Sequence, residues 1–193
     1  MWLKKVVLSD INTIINGCLE GSRKDQELLY HRYASRLYAV CLQYSGDDDE
    51  AKDVLQDGFI RIFEKLHTYK FEGSFEGWIR RIVVNTALER YRSKNILRKV
   101  EDIDRLTEME MEPDIEDYSG LDVEILLNMI RELPPKYRMV FNLFAIEGYS
   151  HKEISKMINI SEGASKSNLS RARLILQKKV EKYSVIKIKV AND

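Results

Sequence analysis

Apolar residues return at every third or fourth position through most of this chain, and long alternations of apolar with polar residues are absent. That period belongs to the α-helix, so the pattern predicts an all-α fold. Residues 47–66, DDDEAKDVLQDGFIRIFEKL, show it plainly. Ala51, Val54, Leu55, Phe59, Ile62 and Leu66 form one face, predicted to point inward, while Asp53, Gln56, Asp57, Ile60 and Glu64 form the opposite one. The acids Asp47 to Glu50 suit a helix N-terminus, whose free N–H groups attract negative charge. Asp53, Gln56 and Asp57 lie beyond that first turn. With Ile60 among them they make an acidic surface with an apolar centre, a pattern suited to docking on a basic protein partner. Charge reversal at Asp53 and Asp57 is expected to leave folding nearly untouched, because both face away from the predicted core.

The next periodic stretch, GWIRRIVVNTALERYRSK at 77–94, turns Ile79, Val83 and Ala87 inward. Trp78, Arg81, Asn85 and Arg92 then fall within about 60° of one another on a helical wheel, with Arg80 on the same helix. The preceding YKFEGSFEG reads as a glycine-jointed loop carrying Tyr69, Phe71 and Phe75. An aromatic loop beside a cationic, amide-bearing face suits single-stranded nucleic acid. Bases stack on rings at about 1–3 kcal/mol each, guanidinium groups hold phosphates, and an amide can read a base edge.

Residues 148–176, GYSHKEISKMINISEGASKSNLSRARLIL, predict a helix-turn-helix. Ser150 and Glu153 have the spacing of a capping box, Asn159 can take the left-handed turn between helices, and Ser161 caps a longer second helix. On that helix Ser165, Leu169, Ala172 and Leu176 share one side, and Lys166, Ser167, Ser170, Arg171 and Arg173 spread over the other. Small polar and cationic side chains on an outward second helix suit the major groove of DNA. Arg171 and Arg173 point about 160° apart, so Lys166, Ser170 and Arg171 are expected to read bases as a group and Arg173 to hold the backbone.

Charge divides the chain where periodicity does. Residues 1–95 hold 15 basic and 14 acidic side chains, 96–120 hold 3 and 9, and 121–193 hold 13 and 8, giving net charges of +1, −6 and +5 that cancel overall. The acidic middle has poor helical periodicity and reads as a flexible, self-repelling linker. The boundaries expected are an N-terminal segment at 1–21, a helical domain at 22–96, the linker at 97–120, a second helical domain at 121–182 and a frayed tail at 183–193. No apolar run reaches the roughly 18 residues of a membrane span, and no signal peptide opens the chain, so a cytoplasmic protein without membrane insertion is expected. Cys18 and Cys41 have no CxxC or Cys/His spacing and are predicted to be buried free thiols. No metal ligand set, nucleophile with its base, or phosphate-binding loop stands out, so the expectation is a protein that is not an enzyme and needs no cofactor or metal.

Taken together, these motifs resemble the sigma-70 family of bacterial RNA polymerase sigma factors, in its extracytoplasmic-function (group IV) type, over about residues 22–96 and 121–180. DEAKDVLQDGFIRIF is similar to that family's core-binding helix, GSFEGWIRRIVVNTALERYR to its promoter-melting segment, and LPPKYRMVFNLFAIEGYSHKEISKMINISEGASKSNLSRAR to its region-4 helix-turn-helix. The resemblance implies an alternative sigma factor that brings core polymerase to promoters and promotes DNA melting. Asp53, Gln56, Asp57 and Ile60 would dock on the clamp helices of the largest polymerase subunit, and the region-4 domain on the flap of the second-largest. Tyr69, Phe71, Phe75, Trp78, Arg80, Arg81, Asn85 and Arg92 would engage the minus-10 element, and Lys166, Ser167, Ser170, Arg171 and Arg173 the minus-35 element. Family members commonly have an anti-sigma factor as a further partner. The chain departs from the usual pattern at Asn159, commonly Gly, at Ser165, commonly Val, and at Asn168, commonly Arg. A competing reading from the residues is a stand-alone helix-turn-helix repressor with an N-terminal sensing domain, which leaves the Asp53 to Ile60 face unexplained.

Overall fold

A computed structural model describes residues 10–98 and 122–191. Among them are eight α-helices and no strand. The chain forms two compact units, the first ending at Tyr91 and the second beginning at Arg92. The acidic stretch read as a linker lies outside the described residues, apart from its first two positions, 97 and 98, at the end of a helix.

The first unit is built from α1 (Ile11–Leu19), α2 (Arg23–Tyr44), α3 (Asp48–Lys65) and the larger part of α4 (Phe75–Arg98), which runs on past Tyr91. The sequence leaves residues 1–21 outside the domain, but α1 packs on α2 and buries Ile14, Ile15 and Cys18. Its apolar positions make a stripe too short to read as periodic alone, and burial against α2 gives it its helix. Cys18 and Cys41 are buried free thiols. Burial, with a smaller push from Asp25, raises the Cys18 thiol to about 11, and burial raises Cys41 to about 12. Neither forms the reactive thiolate near neutral pH.

Local sequence sets the helix starts. Asp47 caps α3, its Oδ1 accepting the Glu50 N–H at 2.7 Å, and the Glu50 carboxylate accepts the Gly46 N–H at 2.8 Å. All six residues predicted to face inward, five on α3 and Leu66 just after it, are buried. Ser74 opens α4 by accepting the Gly77 N–H at 3.3 Å, and Phe75, Ile79, Val83, Val84, Ala87 and Leu88 are its buried stripe. At the α3–α4 contact Gly58 leaves room for Val83: a Cβ at position 58 would lie 2.9 Å from Val83 Cγ2 and 3.8 Å from its Cα. The two helix backbones nearly touch there.

The second unit comprises α5 (Val123–Arg131), α6 (Pro135–Phe141), a π-helical turn at Asn142–Ile146, α7 (His151–Ile158) and α8 (Glu162–Ala191). Ile130, Leu133, Tyr137, Ala172 and Leu176 form a buried cluster that fastens α5 and α6 to α8. Nothing between Ala164 and Ala191 is Gly or Pro, so no helix breaker stops α8. It continues through the described part of the segment read as a frayed tail. No described helix is long and apolar enough to cross a membrane.

The Gly58 contact makes a test of sign. Gly58→Ala removes a helix penalty of about 0.5–1 kcal/mol yet collides with a buried β-branched side chain, so a net loss of stability is expected. In a Val83→Ala background the same change should become stabilising, as read by denaturant unfolding. Equal effects in both backgrounds would show that this contact does not set the helix separation.

Candidate nucleic-acid interface

The loop joining α3 to α4 folds around an aromatic cluster. Tyr69 lies with its ring centroid 5.1 Å from Phe75, 5.2 Å from Phe71 and 5.4 Å from Trp78, while Phe75 stacks on Trp78 at 5.8 Å and meets Tyr33 edge-on at 5.6 Å. The Tyr69 hydroxyl donates to the Gly73 carbonyl at 3.1 Å, closing the loop. Tyr69 and Phe75 are buried, so neither offers the free face to a base that the sequence reading of this loop expected. Phe75 stands four residues before Ile79 and eight before Val83, which extends the inward stripe of α4 back by one turn. That spacing was the available signal. Phe71 is the open ring, 46% exposed, on a backbone with φ of 57°, a left-handed conformation that costs a non-glycine residue energy. The loop therefore spends strain to hold one phenyl ring at the surface, supported from beneath by Tyr69.

Trp78 is half-buried at the rim of this cluster. Arg81 and Asn85 follow it on the same side of α4 and are exposed, whereas Arg80 and Arg92 are half-buried. The cationic, amide-bearing face read from the sequence thus narrows to Arg81 and Asn85, with Phe71 and Trp78 at its loop end.

The second candidate surface lies on α3. Asp53, Gln56, Asp57 and Ile60 are all exposed. Ile60, 51% exposed, borders a shallow groove with Tyr30, Lys52, Leu55, Gln56, Phe59 and Phe63, and Tyr30 is itself 41% exposed. The acids are not free, however. Arg90 of α4 donates to Asp53 at 2.8 Å and to Asp57 at 3.3 Å, and Arg61 pairs with Glu89 alongside. Sequence reasoning missed Arg90, because a partner 33 residues away emerges only once α3 and α4 are packed together. The expectation that reversing both acids would leave folding untouched is corrected accordingly. Two lysines there would face the Arg90 guanidinium, turning attractions worth about 0.2–1 kcal/mol each into repulsion.

In the second unit the helix-turn-helix forms as its residues dictate. The Ser150 hydroxyl and backbone N–H both donate to the Glu153 carboxylate, at 2.7 and 2.9 Å, and these bonds hold that carboxyl below its usual range. Asn159 ends α7 with φ of 56°, and the Ser161 hydroxyl accepts the Ala164 N–H at 3.0 Å to open α8. Ser165, Leu169, Ala172 and Leu176 are buried. Lys166, Ser167 and Arg173 are exposed, and Ser170 and Arg171 half-buried. Ser165 meets His151 Nδ1 at 2.9 Å, the His151 ring stacks on Phe144 at 4.6 Å, and the Arg173 guanidinium lies 5.9 Å from the Phe144 centroid.

Comparison with known proteins agrees with both units. Residues 29–96 match the family model described as Sigma-70 region 2, and residues 123–176 match Sigma-70, region 4. The chain is 32% identical over 162 residues to the ECF RNA polymerase sigma factor SigE of Mycolicibacterium smegmatis, covering 81% of this chain and 62% of that protein's length. It is 27% identical over 179 residues to the ECF RNA polymerase sigma-E factor of Haemophilus influenzae, covering 87% of this chain and 94% of that protein. Among solved structures, it is similar to the sigma factor RpoE in complex with the anti-sigma factor NepR from Bartonella quintana, at 23% identity and a TM-score of 0.47 over 82% of this chain and 98% of that one. With region 2 on the unit that carries the Phe71 loop and region 4 on the helix-turn-helix, the chain belongs to the sigma-70 family of RNA polymerase sigma factors, in its extracytoplasmic-function group.

Proposed function

We propose that this chain is an alternative sigma factor that carries core RNA polymerase to promoters and helps open them. In this reading the α3 face of Asp53, Gln56, Asp57 and Ile60, with its apolar groove, docks on the clamp helices of the largest polymerase subunit. The second unit meets the flap of the second-largest subunit and reads the minus-35 element with α8, and residues 97–120 link the two. Phe71, Trp78, Arg81 and Asn85 hold the non-template strand of the minus-10 element. Capturing an extruded base there offsets the few kcal/mol of unstacking and draws the duplex toward the open state. The Phe71 conformation carries this reading: a ring packed on Tyr69 yet left 46% exposed on strained backbone suits a base stacked from solvent. An anti-sigma factor would fit the same scheme by covering the α3 face.

A stand-alone repressor would need its own strong attraction to DNA. Near-zero net charge argues against that, and suits a factor that must stay off promoters until polymerase joins it. Run-off transcription from a matched promoter separates the two readings: product should require both this chain and core polymerase, and the chain alone should bind the same DNA only weakly. Tight, sequence-specific binding by the chain alone would favour the repressor.

Each surface has its own test. Asp53→Lys with Asp57→Lys should abolish association with core polymerase and lower the melting temperature by a few degrees. Adding Arg90→Glu should restore the melting temperature by recreating opposite charges, without restoring polymerase binding. If binding returns with stability, the acids serve only the fold. Asn85→Ala should reduce open complexes at least tenfold while leaving closed complexes within about twofold, the loss of one base-directed contact. A pre-melted bubble template should recover much of that defect, and no recovery in a folded variant would assign Asn85 a structural role.

A further inference from the structure

The core side of α8 contains a polar residue that the reading of α8 as the minus-35 helix does not use. Ser165 is fully buried, and it stands on the same stripe as Leu169, Ala172 and Leu176. A hydroxyl placed among apolar side chains costs about 1–3 kcal/mol unless it finds a partner. Its partner is His151 Nδ1, 2.9 Å away at the first turn of α7. This bond crosses from one helix of the motif to the other.

The imidazole is itself held. Its ring lies nearly parallel to Phe144, with centroids 4.6 Å apart and 18° between planes, and Phe144 belongs to the π-helical turn that leads toward α7. Burial first, then the charges of Lys166 and Arg173, keep His151 below its ordinary pKa, with Glu162 opposing them. With the ring neutral and its proton on Nε2, Nδ1 accepts a hydrogen bond from the Ser165 hydroxyl. Arg173 also lies over Phe144, at 5.9 Å, within the range of a cation–π contact. Two residues outside α8 thus touch it, His151 through Ser165 and Phe144 through Arg173.

We propose that His151 is a positioning residue for promoter reading: bonded to Ser165 and stacked on Phe144, it fixes the rotation of α8 about its own axis, and so sets which base edges Lys166, Ser170 and Arg171 address. This rests on the reading of α8 as the minus-35 helix. The geometry explains why rotation matters. Side-chain tips lie roughly 5–6 Å from a helix axis, so a turn of about 20° sweeps them by about 2 Å, several times the tolerance of a base-directed hydrogen bond. An apolar contact at position 165 permits such a turn by sliding. A hydrogen bond with a fixed direction resists it. Arg173, drawn onto Phe144, takes no part in base selection.

The test is transcription by the complete chain with core polymerase from a promoter library randomised in the minus-35 element, with the ranking of sequences as the readout. Ser165→Val puts methyl groups, one heavy atom more, in place of the hydroxyl, so it removes the bond while keeping the position apolar and filled. It should flatten the ranking, cutting the preference for the best base over the next by about fivefold or more at one or more positions. Total output summed over the library should stay within about twofold. His151→Ala should do the same, whereas His151→Asn, which keeps a polar atom near the Nδ1 position, should retain most of the ranking. A uniform loss of output with the ranking unchanged in Ser165→Val and His151→Ala would overturn the proposal, as would equal rankings for His151→Asn and His151→Ala. If the unsubstituted chain shows no minus-35 preference at all, the assignment of α8 fails, and that failure is visible before any variant is examined.

Discussion

The close approach of α3 and α4 at Gly58 and Val83 governs the first unit. With only a hydrogen atom on Gly58, the two backbones come near enough for Val83 Cγ2 to occupy the space of a missing side chain. At that separation Arg90 spans Asp53 and Asp57, and Arg61 reaches Glu89. These ion pairs are largely exposed and worth at most about 1 kcal/mol each. A buried Val, Leu, Ile or Phe is worth about 1.5–3 kcal/mol, so the apolar stripes set the helix positions and the ion pairs trim them. The consequence for function is geometric. One rigid pair of helices presents an acidic and apolar surface on α3 and an aromatic and cationic surface at the start of α4, so a partner held by the first has a fixed relation to a strand held by the second.

Much of this was legible in the sequence because it is local. The inward and outward faces of α3, the capping box at Ser150, the left-handed Asn159 and the cap at Ser161 each depend on residues within four positions of one another. Period and spacing suffice for those. What stayed hidden depends on tertiary neighbours. Tyr69 and Phe75 sit in a glycine-rich stretch that reads as loop, yet Tyr33 of α2 and Trp78 of α4 close over them and bury their rings. Arg90 reads as one more solvated cation until α3 lies beside it. Ser165 reads as an outlier on an apolar stripe until His151 supplies its partner. Helix α1 escaped for a related reason, since its short stripe has meaning only against α2.

The two units divide labour by charge as well as by shape. Residues 121–193 carry a net +5 and residues 1–95 only +1, while the acidic 96–120 carry −6. A cationic helix-turn-helix gains from the counterions that DNA releases, and an acidic neighbour in the same chain reduces that gain for the free protein. In the proposed function, docking on polymerase is what makes promoter contact worthwhile, first through α8 and afterwards through the proposed strand-holding face of α4. In that proposal the strained Phe71 serves the later step, because its exposed face meets a base only after that base has left the duplex.

The claim that α3 serves the polymerase and the Phe71 end of α4 serves the melted strand is tested most directly by oxidative footprinting of side chains in three states: free chain, chain with core polymerase, and the same complex on promoter DNA. The account predicts that Tyr30 and Ile60 lose reactivity when polymerase is added, and that Phe71 and Trp78 lose it only when the promoter is added and opens. Protection of Phe71 by polymerase alone, or Tyr30 and Ile60 left as reactive in the complex as in the free chain, would contradict it.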